Sequence, residues 1–156
     1  MNRVMTLLGF VLAVGAFMPR EVAAQGGVMD PTSTVVRPGV GKLRQNFPNP
    51  FNPETFIPFV VGDSPVCTES GRQYRVSLRI LNLLGREVAV PALQQGTSSV
   101  SGGQLLNGVM LPCGEYTAYW DGKDKRTGRE APSGMYHYIL QIDNQKPLVK
   151  KMSVVN

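Results

Sequence analysis

The sequence predicts an all-β fold, an antiparallel sandwich of about six to seven short strands. Three observations carry this reading. Successive segments alternate apolar and polar side chains with a period of two, as half-buried strands do. Seventeen glycines and twelve prolines set a turn frequency that suits short strands rather than long helices. A hydrophobic content of 42% in 156 residues suffices for one domain core, and no segment after residue 24 reads as a helix of normal length.

The first 24 residues are expected to be a signal peptide. Met1-Asn2-Arg3 supplies a short positive region, and Val4 to Met18 is an apolar run of fifteen residues. Val22-Ala23-Ala24 places small residues before the cleavage site, with Gln25 first in the mature chain. Fifteen residues fall short of the ~20 that cross a bilayer, so no membrane span is expected after processing. The residue directly after that site is Gln25, not a cysteine, so no lipid anchor is expected. Residues 25–42 are rich in Gly, Pro, Ser and Thr and read as a flexible tail, leaving residues 43–156 as the domain.

The stretch from Gln45 to Thr55 organises that domain. Pro48, Pro50 and Pro53 fix φ and remove three backbone donors, so neither a helix nor a central strand can run through it. Asn49 and Asn52 each precede a proline and are biased to extended geometry. Asn46 completes the polar part of the motif. Phe47 and Phe51 are expected to reach inward, making the stretch a stiff clasp in front of the strands.

Thr55 to Val61 is the first strand, with Ile57, Phe59 and Val61 on one face and Pro58 pointing to an edge position. Residues 62–73 form a loop around Cys67. In residues 74–81, Tyr74, Val76, Leu78 and Ile80 face inward, while Arg75, Ser77 and Arg79 face out. Asn82 to Gly85 turns the chain, and residues 86–93 return with Val88 and Val90 buried. Residues 94–112 read as one long loop, interrupted by Leu105, Leu106, Val109, Met110 and Leu111. Gly114 to Trp120 places Tyr116, Ala118 and Trp120 inward. In residues 135–142, Tyr136, Tyr138, Leu140 and Ile142 face inward, with His137 and Gln141 outward. Residues 148–155 close the domain.

Cys67 and Cys113 are the only cysteines, and an exported chain favours a disulfide between them. With strands running alternately up and down, the loops that hold them meet at one pole. Two free thiols are the alternative. A metal fits least, since no histidine lies near to complete a site. Trp120-Asp121-Gly122 reads as structural: the indole plugs the end of the core and the Asp-Gly pair makes a turn. A calcium site from Asp121, Asp124 and Glu130 is the less favoured reading, because Lys123, Lys125 and Arg126 crowd it. His137, the single histidine, has no nucleophile and orienting acid implied by spacing. No cofactor fingerprint, paired-carboxylate signature or phosphate-cradling loop is present, so neither a cofactor nor a small-molecule substrate is expected. The net charge of +5 is scattered apart from Lys123, Lys125, Arg126 and Arg129 in one loop and Lys150-Lys151 near the end. No aromatic residues are interleaved with these clusters to stack bases, which argues against nucleic acid. The apolar residues of the long loop, Leu105, Leu106, Val109, Met110 and Leu111, either cover the open end of the core or form a patch for a protein partner.

The segments Gln45-Asn46-Phe47-Pro48-Asn49-Pro50-Phe51-Asn52-Pro53 and Val76 to Val88 resemble a known family. So do Gly114-Glu115-Tyr116, Trp120-Asp121-Gly122-Lys123-Asp124, Gly128, Ser133-Gly134-Met135-Tyr136 and the closing Lys151-Met152. Together they resemble the type A carboxy-terminal sorting domain of cargo carried by the bacterial type IX secretion system. That module is similar to the immunoglobulin-like domain of the flagellar hook-capping protein, and the match runs from about Leu43 to Asn156. The resemblance implies an immunoglobulin-like sandwich without enzymatic activity. It also implies recognition by outer-membrane secretion machinery, and a destination in the periplasm, the outer membrane or the cell surface of a bacterium. Family members carry a large cargo before this domain, where here a tail of about 18 residues stands. Together with the enlarged loops 62–73 and 94–112, this raises a second reading: an accessory structural subunit docked on a larger periplasmic or membrane complex.

Overall fold

A computed structural model of the chain describes residues 41–94 and 102–156. The expected signal peptide, most of the expected tail and residues 95–101 of the long loop lie outside that range. The described residues contain nine strands and no helix: β1 (Gly41–Leu43), β2 (Thr55–Val61), β3 (Gln73–Asn82), β4 (Glu87–Ala89), β5 (Ala92–Leu93), β6 (Asn107–Pro112), β7 (Gly114–Trp120), β8 (Gly134–Ile142) and β9 (Leu148–Val154). They form two sheets with every pairing antiparallel. The first runs β1-β2-β7-β5, and the second runs β4-β3-β8-β9 with β6 also paired to β3. The all-β sandwich expected from the sequence is the fold.

The core lies where the period-two pattern puts it. Ile57, Phe59 and Val61 of β2, Tyr74, Val76, Leu78 and Ile80 of β3, and Tyr136, Tyr138, Leu140 and Ile142 of β8 are all buried. Tyr116, Ala118 and Trp120 of β7 join β2 in facing β3 and β8 across the core, and Met152 and Val154 of β9 complete the layer on the side of β8. At ~1.5–3 kcal/mol for each fully buried large apolar side chain, this layer dominates the stability of the domain.

The strand count exceeds the expected six to seven for three reasons. Gly41 and Lys42, placed by the sequence in the flexible tail, pair with Val61 and Val60 as part of β1. Residues 86–93 are not one strand: β4 joins the second sheet through Ile80 and β5 joins the first through Tyr119 and Ala118. The chain changes sheets at Val90-Pro91, so the buried pair is Val88 and Ala89, with Val90 only half-buried. Residues 107–112, read as loop, form β6 on the edge of β3, with a register shift between Val76 and Ser77. A positive φ of 73° at Gly108 accompanies that bulge.

Pro58 does not mark an edge strand, since β2 lies between β1 and β7. Its carbonyl accepts the Arg44 amide at 3.0 Å, just where β1 has ended. The missing Pro58 donor faces the same side and interrupts no ladder.

Two crossing segments close the open sides of the sandwich. On one side the clasp bridges Phe47 to Phe56 of the first sheet and Phe51 to Val154 of the second. On the other, Gly103 and Leu106 donate to Leu93 and Pro91 beside β5, and the chain then continues into β6 on β3. Strand edges left bare are templates for aggregation; the clasp covers the outer edge of β9, and residues 103–106 cover that of β5.

Candidate functional site

The motif residues singled out by the sequence converge on one structure, the seam between the clasp and the end of β7. Peptide bonds before Pro48, Pro50 and Pro53 are cis. Asn46 is 2% exposed and makes a full set of contacts. Its side-chain amide donates to the Pro48 carbonyl at 3.1 Å and to Thr55 Oγ1 at 3.0 Å, while Oδ1 accepts from Gln45 Nε2 at 2.7 Å. The Asn46 backbone amide donates to the Tyr138 hydroxyl at 3.1 Å, and that hydroxyl donates to the Arg44 carbonyl at 3.0 Å. Burial pushes the Tyr138 phenol above its ordinary value, and the Asn46 amide partly offsets the rise. Thr55 and Tyr138 hold the clasp from strands β2 and β8, and neither was distinguishable as a partner in the sequence.

Phe51 is buried and packs edge-on against Trp120, with ring centroids 5.3 Å apart. Trp120 meets Tyr136 in the same manner at 5.9 Å and donates its indole N–H to the Lys123 carbonyl. Asp121 accepts the Lys123 amide at 3.1 Å, the turn expected from the Asp-Gly pair. Gly122 follows with φ of 74°, and a Cβ there would stand 1.9 Å from the Pro53 carbonyl oxygen. Only glycine fits against the clasp. Pro48, Pro50, Asn52 and Pro53 are exposed on its outer side. Phe47 is the exception to the expected inward pair, at 53% exposure. Its bridge to Phe56 is made through the backbone, and its ring lies on that of Phe56, a half-buried side chain on the outward face of β2.

The clasp also reaches the last strand. Phe51 donates to the Ser153 carbonyl, Val155 donates to the Phe51 carbonyl, and Asn49 Oδ1 accepts the Ser153 amide. Gln45 Nε2 donates to the Lys151 carbonyl. The two ends of the domain are thereby one piece, with partners more than 100 residues apart.

Cys67 and Cys113 are joined at the pole where the loops meet, with an S–S distance of 2.07 Å and Cα atoms 5.6 Å apart. Beside the bridge, Thr68 donates to Asp63 through its hydroxyl and amide and holds that carboxyl below its usual range. Arg72 lies over the Tyr74 ring at 4.7 Å and pairs with Glu69.

The five apolar residues of the long loop are not one patch. Leu106 and Leu111 are fully buried and Val109 packs against the core, whereas Leu105 is 60% and Met110 46% exposed. Leu105 lines an open groove of about 740 Å³ with Tyr119, Glu87, Lys125, Arg79 and Asp124. Among the described residues no three His, Cys, Asp or Glu side chains are grouped to hold a metal. Asp124 is buried and instead accepts the Arg126 amide and pairs with Arg86. His137 is half-exposed in β8, opposite Leu81 and Lys151. Comparison of the chain with family models, curated proteins and solved structures finds no match.

Proposed function

We propose that the chain is a non-enzymatic, exported β-sandwich module of immunoglobulin-like type that acts through protein–protein recognition in a bacterial cell envelope. In this reading it is a sorting-type domain, held by outer-membrane secretion machinery on the way to the cell surface. The observation that carries it is the use made of the motif residues. Asn46, Phe51, Trp120 and Gly122, on which the family resemblance rests, all lock the clasp to β7, β8 and β9. A partner would therefore meet a rigid folded surface rather than a linear tail.

The test is a reporter inserted between residues 1–24 and residues 25–156 in a host that possesses the machinery. The expected result is reporter at the cell surface, and reporter left in the periplasm overturns the sorting reading. Deleting β9 is a poor control, because it also removes Met152 and Val154 from the core. A second reading, an accessory subunit of a larger membrane complex, draws on the exposed side chains of Leu105, in the groove beside Tyr119, and Met110 of β6. Stable co-purification with a membrane complex supports it, and a freely soluble monomer in the periplasm rules it out.

A further inference from the structure

The outward face of the first sheet carries one cross-strand row of side chains that stands outside the core. Phe47 bridges to Phe56 of β2, Phe56 stands opposite Tyr119 of β7, Tyr119 stands opposite Ala92 of β5, and Ala92 bridges to Leu105. Ala92 is the small member of the row. Tyr119 and Leu105 therefore rise on either side of it as two walls, rooted about two inter-strand spacings apart, ~10 Å. The slot between them opens into the groove of about 740 Å³ that all three residues line.

The Tyr119 wall is fixed in place. On the side away from Ala92 its ring leans on Phe56, with centroids 5.6 Å apart, and Phe56 leans on Phe47 at the same distance. The Tyr119 hydroxyl donates to Glu54 Oε2 at 2.7 Å. A ring braced in this way loses little freedom when a ligand stacks on it. Around the slot the charges cancel. Among the described residues that line the groove, Arg79, Lys123 and Lys125 are balanced by Glu87, Asp121 and Asp124. Lys123 pairs with Asp121 and Lys125 with Glu87. The groove thus offers hydrogen-bonding groups of both signs and no net charge to draw an ion.

We infer that this slot binds a neutral glycan, with one hexopyranose ring of an oligosaccharide seated between Tyr119 and Leu105. A pyranose presents C–H bonds polarised by the neighbouring oxygens, which suit the negative face of an aromatic ring, while Leu105 covers its other side. Its hydroxyls replace the water that the rim carboxylates and cations lose. An apolar side chain of a partner protein would strip water from the same groups and return no hydrogen bond. A nucleotide would bring phosphate charge to a rim with no surplus of cations. One ring between two walls is a small contact, so a Kd on the order of 1 mM is expected. Glycan binding at this slot goes beyond the sorting reading and does not rest on it.

The experiment is an amide-resolved NMR titration of the purified chain with cello-, malto-, manno- and N-acetylated chito-oligosaccharides. Each is carried to about 10 mM, which nearly saturates a site of that affinity. A proline-rich peptide and phosphatidylcholine vesicles are run in parallel. The expected result is a response centred on Tyr119, Ala92 and Leu105 with at least one of the four sugars. Ala92→Leu, which fills the slot, should weaken it about tenfold or more, while Met110→Ala on the other sheet leaves it unchanged. If Ala92→Leu disturbs the pairing of β5, Leu105→Ala removes an exposed wall without touching the core and should weaken binding in the same direction. No response to any of the four sugars overturns the inference, as does a response centred elsewhere on the domain. Undiminished binding by the Ala92→Leu and Leu105→Ala variants, a slot that takes only the peptide or the vesicles, or self-association through this row overturns it as well.

Discussion

Substitution at Asn46 tests whether the clasp is held by its buried amide. Asn46→Ala removes two donated hydrogen bonds, to Pro48 O and Thr55 Oγ1, and one accepted from Gln45. The Gln45 amide is exposed and regains water, and the Pro48 carbonyl keeps the Thr55 hydroxyl at 3.0 Å. Two net bonds at ~1 kcal/mol each, with a small void, give a loss of about 2–3 kcal/mol. Asn46→Asp keeps the shape but turns a donor into an acceptor facing a carbonyl, and it buries an unpaired charge. Its cost should be about 3–5 kcal/mol. With a urea m-value of ~2 kcal/mol/M, the alanine variant should unfold about 1–1.5 M earlier and the aspartate variant earlier still. Hydrogen exchange gives a second readout, because the Phe51 and Val155 amides that tie the clasp to β9 should lose protection in both variants. Equal midpoints for the two variants, or an alanine variant within ~0.5 kcal/mol of the parent, would refute the reasoning.

Three further outcomes can be checked by the same unfolding measurements. Gly122→Ala drives a methyl group into the Pro53 carbonyl at a φ of 74° and should cost about 3 kcal/mol or more, whereas an unchanged midpoint would contradict that contact. Cys67→Ser with Cys113→Ser opens a bridge with a sequence separation of 46 and should cost about 4 kcal/mol on the chain-entropy account; adding reductant to the parent should reproduce the shift. The Tyr138 phenol is raised in the folded state above its unfolded value of ~10, so its contribution is whole below that pH and is lost as pH rises through the folded value. Reversible stability should therefore fall in alkali. Tyr138→Phe should flatten that fall without abolishing it, since burial also raises Tyr136 and Tyr74; an identical alkaline slope would count against Tyr138.

The sequence by itself determined which side chains face inward. Alternation in β2, β3, β7 and β8 placed Phe59, Leu78, Tyr116 and Tyr138 in the core, and the cysteine spacing with alternating strand directions placed the bridge at one pole. Period two, however, records a face and not a neighbour. It could not tell that residues 86–93 divide between two sheets at Val90-Pro91, because β4 and β5 are each too short to show a period. It could not raise Gly41–Leu43 or Asn107–Pro112 from tail and loop to strand, since both form by pairing to an available edge rather than from their own pattern. Phe47 and Phe51 look alike in the chain, and only the packing of Phe51 against Trp120 separates the buried ring from the exposed one. The clasp was legible as rigid from its prolines. Its anchors at Tyr138 and Ser153, about 92 and 104 residues away from Asn46 and Asn49, were decided by long-range hydrogen bonds that no local spacing encodes.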